Sequence, residues 1–475
     1  MINMLRNSKI VATFGPAIKG KAGIKKLIDN GMNVMRVNFS HVDYEDIKKR
    51  IKYLAELNAE NDSYVPWLCD TKGPEIRVKK IKNDCVNLTQ HSNITIVYDD
   101  VEGDEKHFAT TYQDMYLYVK KGNRILINDG LLVLEVVVVE NKDIHCRVVF
   151  AGALLTNKGC NVPGVDLKMP YLSKKDIFDI EFACQYQANF IASSFTRSQE
   201  DIMIVRELCQ ANNRADMKII AKIESQQGID NLDEILKVAD GIMVARGDLG
   251  CEIAMEDVPL AQYQMCKKAN LIGKPVIVAT HMLDSMERNP RPTRAEAGDV
   301  SRAIIDGADA VMLSGETARG LYPYLAVDDM AKIAAKSETV INHDDIIKKY
   351  LSDINDNPYD GIGISAVEMA NKIKAKGIFC FTTTGETAIK ISKYRPNCPI
   401  YALAYDDETL FALALCWGVK GVKKGVYIEL EQKQAVVNQV ALKQGLKAGD
   451  YVIITGGYPN KSRYTNFLII HQIEN

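Results

Sequence analysis

Long apolar runs are missing from this sequence. The longest, Leu131 to Val139, is interrupted by Glu135 and is too short to cross a bilayer. An excess of either charge is missing too. The 59 basic and 61 acidic residues leave a formal net charge of −2, which gives no reason to expect nucleic-acid or membrane-surface binding, although a local basic pocket is compatible with it. No two of the 11 cysteines stand in a CxxC spacing. Cys69, Cys160, Cys251 and the others are scattered singly, several inside apolar runs, so buried reduced thiols are expected and no zinc site is indicated. Met1 to Lys9 carry charge with no apolar h-region after them, so no secretory signal is expected. These absences together point to a cytoplasmic protein.

What is present is ordinary in bulk and patterned in detail. The 475 residues are 47% hydrophobic and 25% charged, normal for a folded chain and too long for one core, so two to four domains are expected. Short apolar runs fall at residues 10–14, 34–39, 67–70, 190–194, 219–224, 242–245, 276–280 and 310–313. Each ends in a polar or glycine-containing turn, and amphipathic segments such as 44–57 and 174–186 follow most of them. Eight β-then-α units predict an α/β fold, a (β/α)8 TIM barrel whose site lies where the strands finish. The pattern breaks at Gly73-Pro74 and stays broken to about Pro170, with strand-like runs at 94–98, 124–128, 131–140 and 144–150. A small β-barrel domain inserted at the top of the larger barrel, placed to act as a lid, is the expectation. Strand-like runs at 378–382, 400–404, 451–455 and 467–471, with a helix over 363–373, predict a C-terminal α/β domain after a polar linker at 342–358. The expected division is 1–72 and 171–345 for the barrel, 73–170 for the insert and 346–475 for the C-terminal domain.

Side chains two apart on a strand share a face. Lys222 and Glu224 therefore point the same way, and Asp248, in Arg246-Gly247-Asp248-Leu249-Gly250, ends the next strand. Two carboxylates suit Mg²⁺, which keeps water and takes few protein ligands, and Lys222 beside it could offset charge on an enolate or a transferring phosphoryl group. The plainer alternative is an internal Lys–Glu pair that neutralises itself. The second run ends with Arg36, Asn38 and Ser40 on one face and the third with Asp70-Thr71-Lys72, oxygen donors that could hold a monovalent cation while Arg36 reaches a phosphate. Thr280 ends the seventh run with a hydroxyl suited to a proton path. Thr293 and Glu296 have capping-box spacing. The stretch Thr382-Thr383-Thr384-Gly385-Glu386-Thr387 is either a phosphate cradle before a helix or an ordinary capped turn.

Six motifs in order carry a resemblance to the pyruvate kinases over nearly the whole chain: Lys9 to Pro16, Met35 to His41, Asp70 to Arg77, Ile220 to Glu224, Met243 to Gly250 and Met312 to Thr317. The resemblance implies a phosphotransferase acting on phosphoenolpyruvate and ADP to give pyruvate and ATP. It implies that Lys222 stabilises the transition state and that Glu224 and Asp248 bind Mg²⁺ (or Mn²⁺). Asn38, Ser40, Asp70 and Thr71 match K⁺ ligands, and Arg36 matches the arginine on the phosphoryl group. Gly247, Asp248 and Thr280 match the groups that receive the substrate carboxylate. Asn38, His41, Arg77 and Lys158 are similar to nucleotide-contacting residues. Glu75 resembles the glutamate of K⁺-dependent members. Thr382, Thr383, Thr384, Gly385 and Thr387 resemble a sugar-phosphate effector loop, and a homotetramer is implied.

Departures from the family pattern are His281 in place of glutamine, Val42 in place of glycine, and a loop at Thr455 to Pro459 without the tryptophan of many fructose-1,6-bisphosphate-regulated members. The sequence also ends at Asn475 without the extra domain of some bacterial members. Two rival readings are a metal-dependent aldolase or lyase acting on the pyruvate enolate and a non-catalytic metabolite sensor. The nucleotide-contact positions speak against the first, and the complete set of polar strand-end residues against the second.

Overall fold

The computed structural model describes residues 6–351, 358–424, 429–458 and 465–474. Eight strands, Lys9–Thr13, Val34–Asn38, Trp67–Asp70, Phe190–Ser193, Lys218–Ile223, Gly241–Ala245, Val276–Ala279 and Ala310–Leu313, close into a barrel in chain order, and all eight pairings are parallel. Each lies within one residue of its expected run. Both faces of such strands are buried, which is why they read as continuous apolar stretches rather than alternating ones. The expected capping box opens the helix Arg294–Asp306, with Thr293 and Glu296 each bonded to the other's backbone N–H.

The period of two explains where polarity begins inside the barrel. Val11, Val34, Leu68, Ala192, Ile220 and Met243 belong to one buried apolar cluster filling the interior. Two residues further along the same strands or just past their ends come Thr13, Arg36, Asp70, Ser194 and Lys222, on the same inward face. A polar layer thus stands directly on an apolar floor. Leu415, from the C-terminal part of the chain, joins that floor cluster and is fully buried. Its neighbours are tied to residues that precede barrel strands: Trp417 N–H donates to Asp309 Oδ1 at 3.2 Å and Gly418 N–H to Asn7 O at 2.8 Å. Leu415 therefore closes the barrel at the end opposite the polar layer.

Between the third and fourth barrel strands the chain forms a six-stranded and a two-stranded sheet that share one apolar core, including Val86, Leu134, Val148 and Leu154. The C-terminal region is a five-stranded sheet in the order Val419–Lys423, Ile400–Ala404, Ile378–Phe381, Tyr451–Gly456, Phe467–Gln472, parallel except for its last strand. Two expectations are corrected here. The polar segment read as a linker contains the helix His343–Leu351: Ile347 enters the C-terminal core, Ile346 packs against it and the His343 ring bonds Arg395 O at 2.5 Å, so these inward contacts outweigh the polar count. The helix expected from 363 begins at Pro358, a residue well suited to a first turn.

The barrel and the C-terminal sheet are joined by buried charge. Arg395 meets Asp309 at 2.6 Å with both side chains almost fully buried. Lys9, buried where the first strand begins, donates to Val419 O at 2.6 Å. Among the described residues no helix is long and apolar enough to cross a membrane.

Candidate active site

Asp70 ends the third strand between two cations. Its Oδ2 accepts from Arg36 Nε at 2.6 Å and its Oδ1 from Lys222 Nζ at 3.0 Å, and its side chain is 1% exposed. Burial alone would push its carboxyl upward, but Arg36 and Lys222 outweigh it and hold the group below the usual carboxylate range. Arg36 also donates from Nη1 to Thr13 Oγ1 at 2.8 Å. Lys222 shows the reverse balance. Burial works to lower its pKa, yet Asp70 and Glu224 raise it above the ordinary lysine range, so the ammonium stays charged at neutral pH.

An ammonium has three N–H donors. Asp70 takes one, and Ser194 Oγ takes another at 2.6 Å. Glu224 Oε1 is ion-paired to Lys222 Nζ at 3.0 Å but outside hydrogen-bonding geometry, so among the described residues the third N–H makes no hydrogen bond and that carboxylate oxygen is buried without a donor. The other oxygen of Glu224 accepts from the Phe195 N–H at 2.6 Å. Burial raises the Glu224 carboxyl well above the usual range, Asp248 adds to the rise, and Lys222 opposes it. Asp248 lies in the first turn of the short helix Arg246–Glu252 that follows the sixth strand.

The donor set fits a hard divalent ion. A buried carboxylate oxygen without a donor, with a second carboxylate close enough to perturb it, is what such an ion would complete. Among the described residues no group of three or more His, Cys, Asp or Glu side chains is arranged to hold a metal ion by itself. The oxygens proposed for a monovalent cation lie at the adjacent strand ends. Asn38 Oδ1 accepts from Ser40 N–H at 3.0 Å, and Thr71 O accepts from Ser194 Oγ at 2.6 Å.

On the other side of the barrel mouth, Thr280 and His281 both have left-handed backbones, with φ of 68° and 52°. A β-branched residue rarely adopts that conformation, and the surroundings hold it. Arg246 donates to Thr280 O at 2.7 Å and pairs with Asp299 at 2.6 Å, while the Gly247 N–H donates to Thr280 Oγ1 at 2.7 Å. Thr280 and Gly247, expected to act together, are in direct contact.

A cavity of about 480 Å³ separates the insert from the barrel, lined by Glu75, Arg77 and Lys158 on one side and Phe195, Asp248 and Glu252 on the other. Arg77 is paired with Glu75 at 2.6 Å and donates to Asn157 O at 2.8 Å. The insert touches the barrel where Asn161 Nδ2 donates to Glu252 Oε1 at 3.1 Å. The side chain of His41 lies outside the described residues. In the C-terminal sheet, Thr382 Oγ1 accepts from Gly385 N–H at 2.9 Å, the turn needs the left-handed Gly385 at φ 84°, and Thr387 Oγ1 bonds Thr465 Oγ1 at 2.8 Å. This loop is far along the chain from the barrel strand ends and forms no part of their polar layer. Pro459, in the later loop, lies outside the described residues.

The sequence reading omitted Ser194, the Phe195 N–H and Asp299. Same-face spacing puts Ser194 two residues after Ala192, but it directly follows Ser193, and the pair alone does not say which serine faces inward. The Phe195 contact depends on a left-handed backbone, φ 50°, which no residue type at that position announces.

Comparisons with known proteins identify the family. A family model described as the pyruvate kinase barrel domain matches residues 5–327, and one described as the pyruvate kinase alpha/beta domain matches residues 360–471. The chain is 43% identical over 477 residues to a pyruvate kinase of Sporosarcina psychrophila, spanning 99% of this chain and 81% of that one. It is 43% identical over 474 residues to that of Geobacillus stearothermophilus, with the same coverage. A solved pyruvate kinase from Cryptosporidium parvum superposes with a TM-score of 0.93 at 35% identity, covering 99% of this chain and 96% of its own.

Proposed function

The chain belongs to the pyruvate kinase family and transfers the phosphoryl group of phosphoenolpyruvate to ADP, giving pyruvate and ATP in the last step of glycolysis, and from that premise we propose how its own residues carry the reaction. The observation that carries the proposal is the unspent N–H of Lys222, on an ammonium fixed by Asp70 and Ser194. Arg36 and Lys222 bind the phosphoryl oxygens and offset their charge during in-line transfer. Glu224 and Asp248 would hold Mg²⁺ or Mn²⁺, which when bound supplies charge neutralisation at the substrate oxygens. Asn38, Ser40, Asp70 and Thr71 would hold K⁺, and Glu75 fits a K⁺-requiring member of the family.

The substrate carboxylate is received by the N–H groups of Gly247 and Asp248. The first of these is held by Thr280 Oγ1 in the free protein, so binding must exchange one oxygen acceptor for another. That exchange frees the Thr280 hydroxyl, which donates to Ala279 O at 2.6 Å, to join the path that brings a proton to the methylene carbon. Asn38, His41, Arg77 and Lys158 contact the nucleotide, and closure of the insert as a lid excludes water from the phosphoryl donor. The test is Lys222→Met. A coupled assay for ATP formation should show turnover reduced by at least about a hundredfold with the far-ultraviolet circular dichroism unchanged. Wild-type-like turnover would refute the assignment.

The Thr382–Thr387 loop, with a helix N-terminus behind it, is inferred to take the phosphate of a sugar-phosphate effector. A cytoplasmic homotetramer is the assembly inferred from family membership. Phosphoenolpyruvate saturation curves with and without a panel of sugar phosphates test the first, and light scattering in solution tests the second. Curves that superpose, or the mass of a lone chain, would dismiss each in turn.

A further inference from the structure

Ser194 belongs to none of the groups assigned above to substrate, nucleotide or ion, yet its contacts converge on them. Its Oγ lies 2.6 Å from Lys222 Nζ, 2.6 Å from Thr71 O and 3.4 Å from Asp70 Oδ1, and its N–H donates to Thr71 Oγ1 at 3.1 Å. A hydroxyl has one proton, and an ammonium is a donor only. Ser194 must therefore accept from Lys222 and spend its own proton elsewhere, and the Thr71 carbonyl at 2.6 Å is a far better acceptor than Asp70 at 3.4 Å. The direction of the chain is fixed: Lys222 N–H to Ser194 Oγ, then Ser194 O–H to Thr71 O.

Two of the three N–H directions of Lys222 are set by Asp70 and Ser194, and tetrahedral nitrogen then sets the third. Without the Ser194 oxygen the ammonium keeps one hydrogen bond to Asp70 and has the Glu224 oxygen 3.0 Å away, so the side chain is free to swing toward that carboxylate and carry the third N–H off its line. The backbone is built for this contact. Gly73, at φ 73°, carries no Cβ where one would come 2.7 Å from Ser194 Cβ, and Phe195 turns left-handed to donate to Glu224. Ser194 is 2% exposed, so bulk water does not stand in for it.

We propose that Ser194 is a positioning residue for Lys222, and that through the Thr71 carbonyl it makes the aim of the third N–H respond to occupancy of the monovalent-cation site. The inference rests on the reading of Lys222 and Thr71 given above. A carbonyl has two lone pairs, so Thr71 O can serve Ser194 and an ion together.

The test compares the full-length wild type with Ser194→Ala and Ser194→Cys, the second placing a slightly larger but weak acceptor at the same position. Both should lower kcat about tenfold to a hundredfold while KM for phosphoenolpyruvate moves less than about threefold. Without substrate, K⁺ binding is followed by intrinsic fluorescence, since Trp67 is one of two tryptophans and begins the strand that ends at Asp70. The variants should need several-fold more K⁺ for half-saturation. Unchanged kcat and K⁺ midpoint in both variants overturn the proposal. So does a loss of kcat that follows a fall in melting temperature while the K⁺ midpoint stays fixed, because that is what a merely structural serine would give. A wild type with no response to K⁺ overturns the ion-site reading and the Thr71 link with it, and the kcat-against-KM split then decides the hold on Lys222 by itself.

Discussion

Replacing Lys9 by methionine should stabilise the protein at neutral and acid pH, by an amount that fades as the pH is raised. Burial pulls the Lys9 ammonium down from its ordinary 10.5 to about 7; Arg6 and Lys420 push the same way, and Cys416 and Glu338 oppose them. Glu338 accepts from the N–H groups of Asn7 and Ser8 and from the Ser8 hydroxyl rather than from Lys9. At about 1.4 kcal/mol per pKa unit, a gap of that size is worth about 5 kcal/mol. Below the folded value the ammonium is charged in both folded and unfolded states, and the folded state carries the whole cost. Between about 7 and 10.5 the unfolded chain holds a proton that the folded chain has released, so stability rises with pH across that window. Methionine removes the cost and also removes the bond to Val419 O, a charge-assisted contact worth about 1.5–3 kcal/mol. The net gain is about 2–3.5 kcal/mol below neutrality and disappears toward the alkaline end. Calorimetric unfolding of both proteins from about pH 6 to about pH 9 measures it. A wild type more stable than Lys9→Met at the acid end, or a difference that does not change with pH, would refute the reasoning.

Two further outcomes follow from the polar layer. Asp70→Asn leaves Arg36 and Lys222 buried without their counter-charge, so denaturation should show a loss of about 3–5 kcal/mol and steady-state kinetics at least a hundredfold lower kcat, an order-of-magnitude expectation. A stable, active Asp70→Asn protein would show that the two cations are solvated in some other way. Gly73→Ala puts a Cβ 2.7 Å from Ser194 Cβ on a backbone at φ 73°, so it should cost about 1–3 kcal/mol in a denaturant titration and lower kcat together with it. Wild-type stability would mean that the turn relaxes freely.

The eight barrel strands were legible because burial on both faces makes each an unbroken apolar run bounded by turns. Lys222 and Glu224 were legible for the converse reason: charge two residues apart in such a run has nowhere to point except the barrel mouth. Ser194 was harder to find. It follows Ser193, and the serine pair does not reveal which member faces inward; Ser193 in fact bonds the Tyr171 hydroxyl at 2.7 Å. The strand Val419–Lys423 was missed because it is an edge strand of valine, glycine and lysine with a single fully buried residue, too weak a pattern to separate from a loop. The helix His343–Leu351 was missed because its acidic first turn, Asp344 and Asp345, has the composition of a linker and also suits a helix N-terminus.

Leu415 gives the catalytic barrel an unusual dependence. The innermost packing of the cylinder is completed by a side chain from another part of the chain, so a fragment ending at residue 340 would fold around a vacancy, and emptying a leucine site costs about 2–5 kcal/mol. That vacancy would open under Val11, Val34 and Leu68, two residues below Thr13, Arg36 and Asp70. The C-terminal part of the chain and the substrate chamber therefore rest on the same apolar layer, with one shared wall between the two.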